Sequence, residues 1–155
     1  MKNGSLSLLL ILLLGSSVFA QLSKNSKWTG GLKDRYNVTE NIVYSAVDPA
    51  SNRLDLYVPK EATTPAPVLV WIHGGGWSGG SHRGNGALLL ATKGYFTASI
   101  EYRLSGEATW PAQIEDCKAA IRYLRANARK YNLDPNHVGV WGASAGGHLV
   151  ALLAA

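Results

Sequence analysis

Apolar and polar residues alternate early in the chain, then run together, then recur at helical steps. Between Val38 and Val47, Ile42, Tyr44 and Ala46 alternate with Val43, Ser45 and Val47. Asp48-Pro49 and Ser51-Asn52 supply turn chemistry, after which Leu54, Leu56 and Val58 alternate with Asp55 and Tyr57. This predicts an antiparallel pair at the edge of a sheet, followed by a Pro, Thr and Ala loop from Pro59 to Pro67. Val68-Leu69-Val70-Trp71-Ile72 is apolar throughout, the signature of a strand covered on both faces, and it stops at glycine. Ala87 to Lys93 reads as a short helix with Gly94 at its C′ position, and Tyr95 to Ile100 as the next strand. Pro111 opens the clearest helix, on which Ile114, Cys117, Ile121 and Leu124 form one apolar stripe. Glu115 and Asp116 precede Arg122, Arg125, Arg129 and Lys130, an order that suits the helix dipole, and Asn132 to Asn136 ends the helix. Val138 to Trp141 is then a short strand, and Gly147 to Ala155 is apolar enough to form a buried helix. Strands alternating with helices predict an α/β fold with a mostly parallel sheet flanked by helices.

The amino terminus reads differently. Its only charge within the first twenty residues is Lys2, followed by an apolar run from Leu8 to Leu14 and then Gly15 to Ala20, with small residues at −3 and −1 of a cut after Ala20. That order predicts a secretory signal peptide over 1–20, cleaved after Ala20, and hence a secreted or periplasmic protein. The stretch is apolar for only part of the length a membrane span needs, so no stable membrane anchor is expected. Residues 21–37 read as an irregular lead-in, and 38–155 as the folded unit. Removing twenty of the 155 residues leaves 135, and the loss of Lys2 takes the net charge from +5 to +4. This charge is mild and scattered without interleaved aromatics, so no nucleic-acid partner is implied. Cys117 is the only cysteine and makes no intrachain disulfide. Asn37-Val38-Thr39 is a glycosylation sequon.

Candidate chemistry lies where the apolar strands meet small residues. Gly142-Ala143-Ser144-Ala145-Gly146 follows one predicted strand and opens a predicted helix. In this setting the central serine occupies a sharp turn that lifts its hydroxyl above the sheet, and small neighbours let the helix cross close to the strand. Ser144 is therefore the candidate nucleophile, and the Ala145 N–H points at a developing oxyanion. His73-Gly74-Gly75-Gly76, about seventy residues upstream, also follows a buried strand. Its glycines allow the backbone to turn N–H groups inward, which makes Gly75 and Gly76 the other oxyanion donors. His73, Gly74, Gly142 and Gly146 support the two motifs. His and Cys do not cluster at ligand spacing, so no metal or organic cofactor is implied.

From about Leu54 to Ala155 the chain resembles the amino-terminal half of an α/β-hydrolase of the esterase and lipase kind with an HGGG oxyanion loop. It is similar to the hormone-sensitive-lipase-like group and closer to the BD-FAE-like (bifunctional feruloyl and acetyl-xylan) carbohydrate esterases. The matching stretches are HGGGW at 73–77, EYRLS at 101–105, WPAQIEDCKAAIRYL at 110–124 and WGASAGGHL at 141–149. Ala143 stands where hormone-sensitive-lipase-like members usually have Asp, which favours the carbohydrate-esterase side. The resemblance implies a serine esterase, which the amino-terminal pattern makes a secreted one, acting on small-molecule or polysaccharide esters such as the acetyl or feruloyl esters of plant polysaccharide. A peptidase or lipase on the same fold, and a non-catalytic binding module on a hydrolase scaffold, keep the same residues and stay open.

The resemblance also implies a triad running Ser, then Asp or Glu, then His, with the last two on loops after later strands. The chain ends in the helix after Ser144, so the expectation is a fold truncated after the nucleophile helix, incomplete and inactive as given. His148 lies one helical turn beyond the serine and is expected to point away from it. His82 and His137 are expected at the surface without a placed acid. The resemblance gives His73 a structural role and makes Arg103 a residue that ties loops together. Glu115 and Asp116 are read as dipole or structural carboxylates, and Cys117 as a core residue.

Overall fold

The computed structural model describes residues 31–155 apart from Asn85; the signal-peptide reading of 1–20 and most of the 21–37 lead-in lie outside the described residues. A single helical turn, α1 (Leu32–Arg35), leads directly into β1 (Tyr36–Val43), which starts two residues before the alternation at Val38. Leu32 and Tyr36 are both buried, which anchors this entry to the domain. β1 pairs antiparallel with β2 (Arg53–Pro59), as the alternation predicted. The turn between them uses Asp48, whose Oδ1 accepts from the N–H groups of Ala50 at 3.0 Å and Ser51 at 3.2 Å.

β3 (Ala66–Ile72), β4 (Phe96–Ile100) and β5 (Leu133–Gly142) complete a five-stranded sheet in the order β1-β2-β4-β3-β5. β3 runs parallel to both β4 and β5, while β2 opposes β1 and β4, so only β2 runs against the other four. β4 is central, and all five of its residues are buried. β5 begins five residues earlier than its apolar run at Val138 because Ala66 pairs with Leu133 across a register shift. Pro135 falls inside that register shift, between the Leu133 and Val138 pairs, where the ladder is interrupted and a missing donor is tolerated.

Alternation along the strands divides the core. Leu54, Leu56, Val68, Val70, Ile72, Phe96, Ala98 and Ile100 face α3 (Ala112–Ala126) and α5 (Ala145–Ala154) in the larger cluster. Tyr57 and Trp71 face the other way, with Leu32, Tyr36 and α2 (Gly86–Ala91). Past α2, Gly94 takes a φ of 93° and its N–H donates to Ala91 O at 2.9 Å, as its predicted capping place requires. On α3, Ile114, Cys117 and Leu124 are buried, but Ile121 is only half-buried and Ala120 faces the core instead. A second short helix, α4 (Ala128–Tyr131), follows, and Asn132 in the left-handed region turns the chain into β5. α5 departs from the fully buried helix expected: Ala145, Gly146 and Leu149 are buried, whereas Ala151 and Leu152 are exposed. Among the described residues only one of its sides is covered. None of the described helices is long and apolar enough to cross a membrane.

Candidate active site

The sheet brings two bends together at the carboxyl ends of adjacent parallel strands. Ile72 on β3 pairs with Gly142 on β5, so His73-Gly74-Gly75-Gly76 and Gly142 to Gly146 leave the sheet side by side. A β-carbon on Gly74 would stand 2.6 Å from Ala143 O and 3.2 Å from Ser144 Cβ, so the glycine loop passes directly against the serine turn. Only a residue without a side chain fits there. Gly142 and Gly146 serve the same closeness from the other side. Their β-carbons would fall 2.8 Å and 2.1 Å from Ile72 O, so α5 can start hard against the end of β3.

Ser144 itself has φ 54° and ψ −120°, a conformation that L residues adopt at a cost of about 1–3 kcal/mol. It is solvent-exposed, and the first turn of α5 is closed behind it by Gly146 N–H to Ala143 O at 2.9 Å and His148 N–H to Ser144 O at 3.1 Å. Gly75 and Gly76 have φ of 119° and 61°, and Trp77 follows at 59°. The N–H groups of Gly75, Gly76 and Ala145 donate to no acceptor among the described residues.

The oxyanion-loop candidate is held from below by groups that the sequence did not disclose. His73 is buried, with Nε2 2.7 Å from Glu101 Oε1 and Nδ1 2.8 Å from Gly74 O. Its ring stacks on Tyr102, centroids 4.3 Å apart, and its carbonyl accepts from the Tyr102 hydroxyl at 3.0 Å. The structural role that the resemblance implied for His73 agrees with these contacts. The other Glu101 oxygen meets His82, whose backbone N–H is 3.1 Å and whose Nδ1 is 2.7 Å away.

His82 is thus a correction to the sequence reading. It is 6% exposed, between Glu101 and Asp55, whose Oδ1 stands 3.5 Å from Nε2. Nothing local marked it, because its two carboxylates come from β2 and the end of β4. Asp55 and then Glu101 hold the His82 pKa up to about 9 against its burial. For Glu101 burial is the largest influence and pushes upward, but hydrogen bonds from His73 and His82 together outweigh it and hold the carboxyl at about 2. The only sequence signal for this cluster was the EYR stretch, which names Glu101 without its partners.

The other histidines fall into place. His137 also has an acid, Asp134 Oδ2 at 2.7 Å, contrary to expectation, but the pair is an exposed i,i+3 contact. Five residues at about 3.3 Å each separate it along β5 from the serine turn. His148 is exposed and packs edge-on against Trp77 at 5.3 Å, with Trp110 at 6.2 Å. Arg103 and Asp116 form a two-pronged pair, Nε to Oδ2 at 2.8 Å and Nη2 to Oδ1 at 2.7 Å, and the Arg103 N–H adds a third bond at 3.0 Å. This ties the exit of β4 to α3, which fits both the implied role of Arg103 and the structural reading of Asp116. Glu115 reaches only Lys118 at the surface. Cys117 is fully buried, and burial pushes its thiol pKa far upward. Among the described residues no cluster of His, Cys, Asp and Glu is arranged to hold a metal ion.

A mixed sheet with helices on both faces, and a strained serine between strand and helix against a glycine-rich loop, define an α/β-hydrolase of the esterase kind. The chain belongs to the BD-FAE family, whose model matches residues 54–155. It is similar to Esterase LipC of Mycobacterium tuberculosis, 42% identical over 127 residues that cover 79% of this chain and 31% of LipC. Among solved structures it is similar to a truncated carbohydrate esterase from gut microbiota, at 41% identity and TM-score 0.70, covering 77% of this chain and 44% of that one. An acetyl ester-xyloside bifunctional hydrolase from Caldicellulosiruptor lactoaceticus matches at 30% identity and TM-score 0.62, covering 77% of this chain and 46% of the other. The chain spans less than half the length of each of these relatives.

Proposed function

We propose that the whole protein hydrolyses carboxylic esters through an acyl-enzyme formed on Ser144. The observation that carries this reading is the approach of Gly74 to within a side chain's width of the Ser144 Cβ, with the serine in a strained, exposed turn. The Ser144 hydroxyl attacks the ester carbonyl, and the N–H groups of Gly75, Gly76 and Ala145 receive the developing oxyanion. Collapse expels the alcohol, and water then releases the acid and restores the serine. Losing one such donor typically costs about 3–4 kcal/mol of barrier. His73 and His82 are committed to Glu101, His137 lies far along β5, and His148 packs against Trp77 one helical turn past the serine, so in this proposal none of the four histidines is the general base, and the base and its acid are other residues of the whole protein.

The relatives' names, a carbohydrate esterase and an acetyl ester-xyloside hydrolase, support acetyl esters of carbohydrates as the substrates; feruloyl esters of plant polysaccharide rest on the sequence resemblance alone. The amino-terminal pattern supports export before the enzyme meets them. The test uses the full-length protein. A fluorophosphonate probe labels it, Ser144→Ala abolishes the label, and p-nitrophenyl esters with acetylated xylan rank its substrates. Wild-type protein that is folded yet ignores the probe is a binding module, and the proposal then fails.

A further inference from the structure

Glu101 touches neither the serine nor any candidate oxyanion donor, yet it lies at the centre of the contacts that hold the glycine loop. Its backbone is fixed first: its N–H donates to Arg53 O at 2.8 Å and its carbonyl accepts from the Tyr44 hydroxyl at 2.6 Å. Its two carboxylate oxygens are then divided, one to His73 Nε2 and one to His82 Nδ1, each at 2.7 Å. With Nε2 so placed, the His73 ring presents Nδ1 to Gly74 O at 2.8 Å, while Tyr102 stacks on its face.

The consequence comes from the peptide bond. Gly74 C=O and Gly75 N–H belong to one planar unit, and in a trans peptide they point in opposite directions. Drawing Gly74 O towards the buried His73 ring therefore aims the Gly75 N–H away from that ring, in a loop whose Gly74 lies against the Ser144 turn. Gly80 closes the arrangement: its φ is 99°, and a β-carbon there would stand 2.2 Å from Gly74 O and 2.4 Å from His73 Nδ1.

We propose that Glu101, braced by His82, is a positioning residue that sets the direction of the Gly75 N–H through His73 and the Gly74 carbonyl. The proposal rests on the esterase reading of Ser144. It makes the buried carboxylate a determinant of transition-state binding, because a misdirected N–H fails the oxyanion far more than it fails the neutral substrate carbonyl.

The test compares wild type, Glu101→Gln, His82→Ala and His82→Asn in the full-length enzyme, with p-nitrophenyl acetate as substrate and a trifluoromethyl ketone as tetrahedral analogue. Glu101→Gln keeps the shape and alters both hydrogen bonds; kcat should fall about 10- to 100-fold with KM within about threefold, and affinity for the ketone should fall by the same factor as kcat/KM. His82→Ala should lower kcat in the same sense. His82→Asn, whose amide N–H can stand where Nδ1 stood, should recover most of that loss, a rescue that a merely structural role does not require. Circular dichroism and thermal unfolding confirm folding. A folded Glu101→Gln enzyme with wild-type kcat and ketone affinity overturns the positioning role. If Glu101→Gln does not fold, equal kcat for folded His82→Ala and wild type overturns it instead. Wild type that the fluorophosphonate probe leaves unlabelled overturns the esterase reading itself, which separates the two failures.

Discussion

At the scale of the residue, Ser144 is held in a backbone conformation that side chains resist. Its φ of 54° with ψ of −120° suits glycine better than any residue with a β-carbon. Ser144→Gly should therefore unfold at higher urea than Ser144→Ala, by up to about 1 kcal/mol, although both lose probe labelling. A glycine variant that is instead the less stable of the two, by the roughly 0.4–1 kcal/mol that its freer unfolded chain costs, would show that the turn carries no strain. Gly80 is a second such position, where the clash is with the loop rather than with solvent space. Gly80→Ala should lower kcat in steady-state assays, because a β-carbon there must displace either Gly74 O or the His73 ring. These demands were partly legible. The Gly-x-Ser-x-Gly and His-Gly-Gly-Gly patterns mark chain that must turn sharply, and both turns are present. The need for Gly80 was not legible, since it depends on a carbonyl six residues away folding back beneath it.

At the scale of the element, α5 and β3 meet closely enough for single methyl groups to matter. A β-carbon on Gly146 would fall 2.1 Å from Ile72 O, a backbone atom that cannot swing aside. Gly146→Ala should cost about 3 kcal/mol or more in urea unfolding of the full-length protein, at the upper end of overpacking effects. Arg103 to Asp116 is the corresponding tie between β4 and α3. Arg103→Lys keeps the charge but loses the fork, and should cost about 1–3 kcal/mol by the same measurement. The sequence foretold the elements better than their limits. Periodicity located the edge pair, the buried strands and the long helix, because those patterns reflect which faces are covered. It missed the start of β5 at Leu133, since only Leu133 pairs with β3 there and the polar residues Asp134 to His137 that follow it lie in the register shift. It also placed Ile121 on the core face, where packing selected Ala120.

At the scale of the whole molecule, one cluster joins β2, the end of β4 and the loop after β3. His82 faces Asp55 and Glu101, Glu101 also faces His73, and Arg83 approaches the cluster through Asn41, whose N–H binds Asp55. The signs of its pH dependence follow from the two shifted groups. His82 is lifted from 6.5 to about 9, so its contribution is complete below about 6.5 and is lost as pH rises through about 9. Glu101 is lowered from 4.5 to about 2, so its contribution is present above about 4.5 and is lost as pH falls towards 2. Unfolding midpoints should therefore be highest between about 4.5 and 6.5 and decline on the alkaline side. His82→Asn should flatten that alkaline decline, and an unchanged decline would assign it to other groups.

By itself the sequence determined the fold class, the order of strands and helices along the chain, and the two bends with Ser144 in one of them. Those features are written locally, in the period of apolar residues and in runs of small ones. Tertiary structure alone decided that His82 is buried, that Glu101 divides its oxygens between two histidines, and that Gly74 lies against Ser144. Each of these joins residues distant in the chain through the pairing of strands, and hydrophobic pattern specifies which face of a strand is covered without naming the strand that will lie beside it.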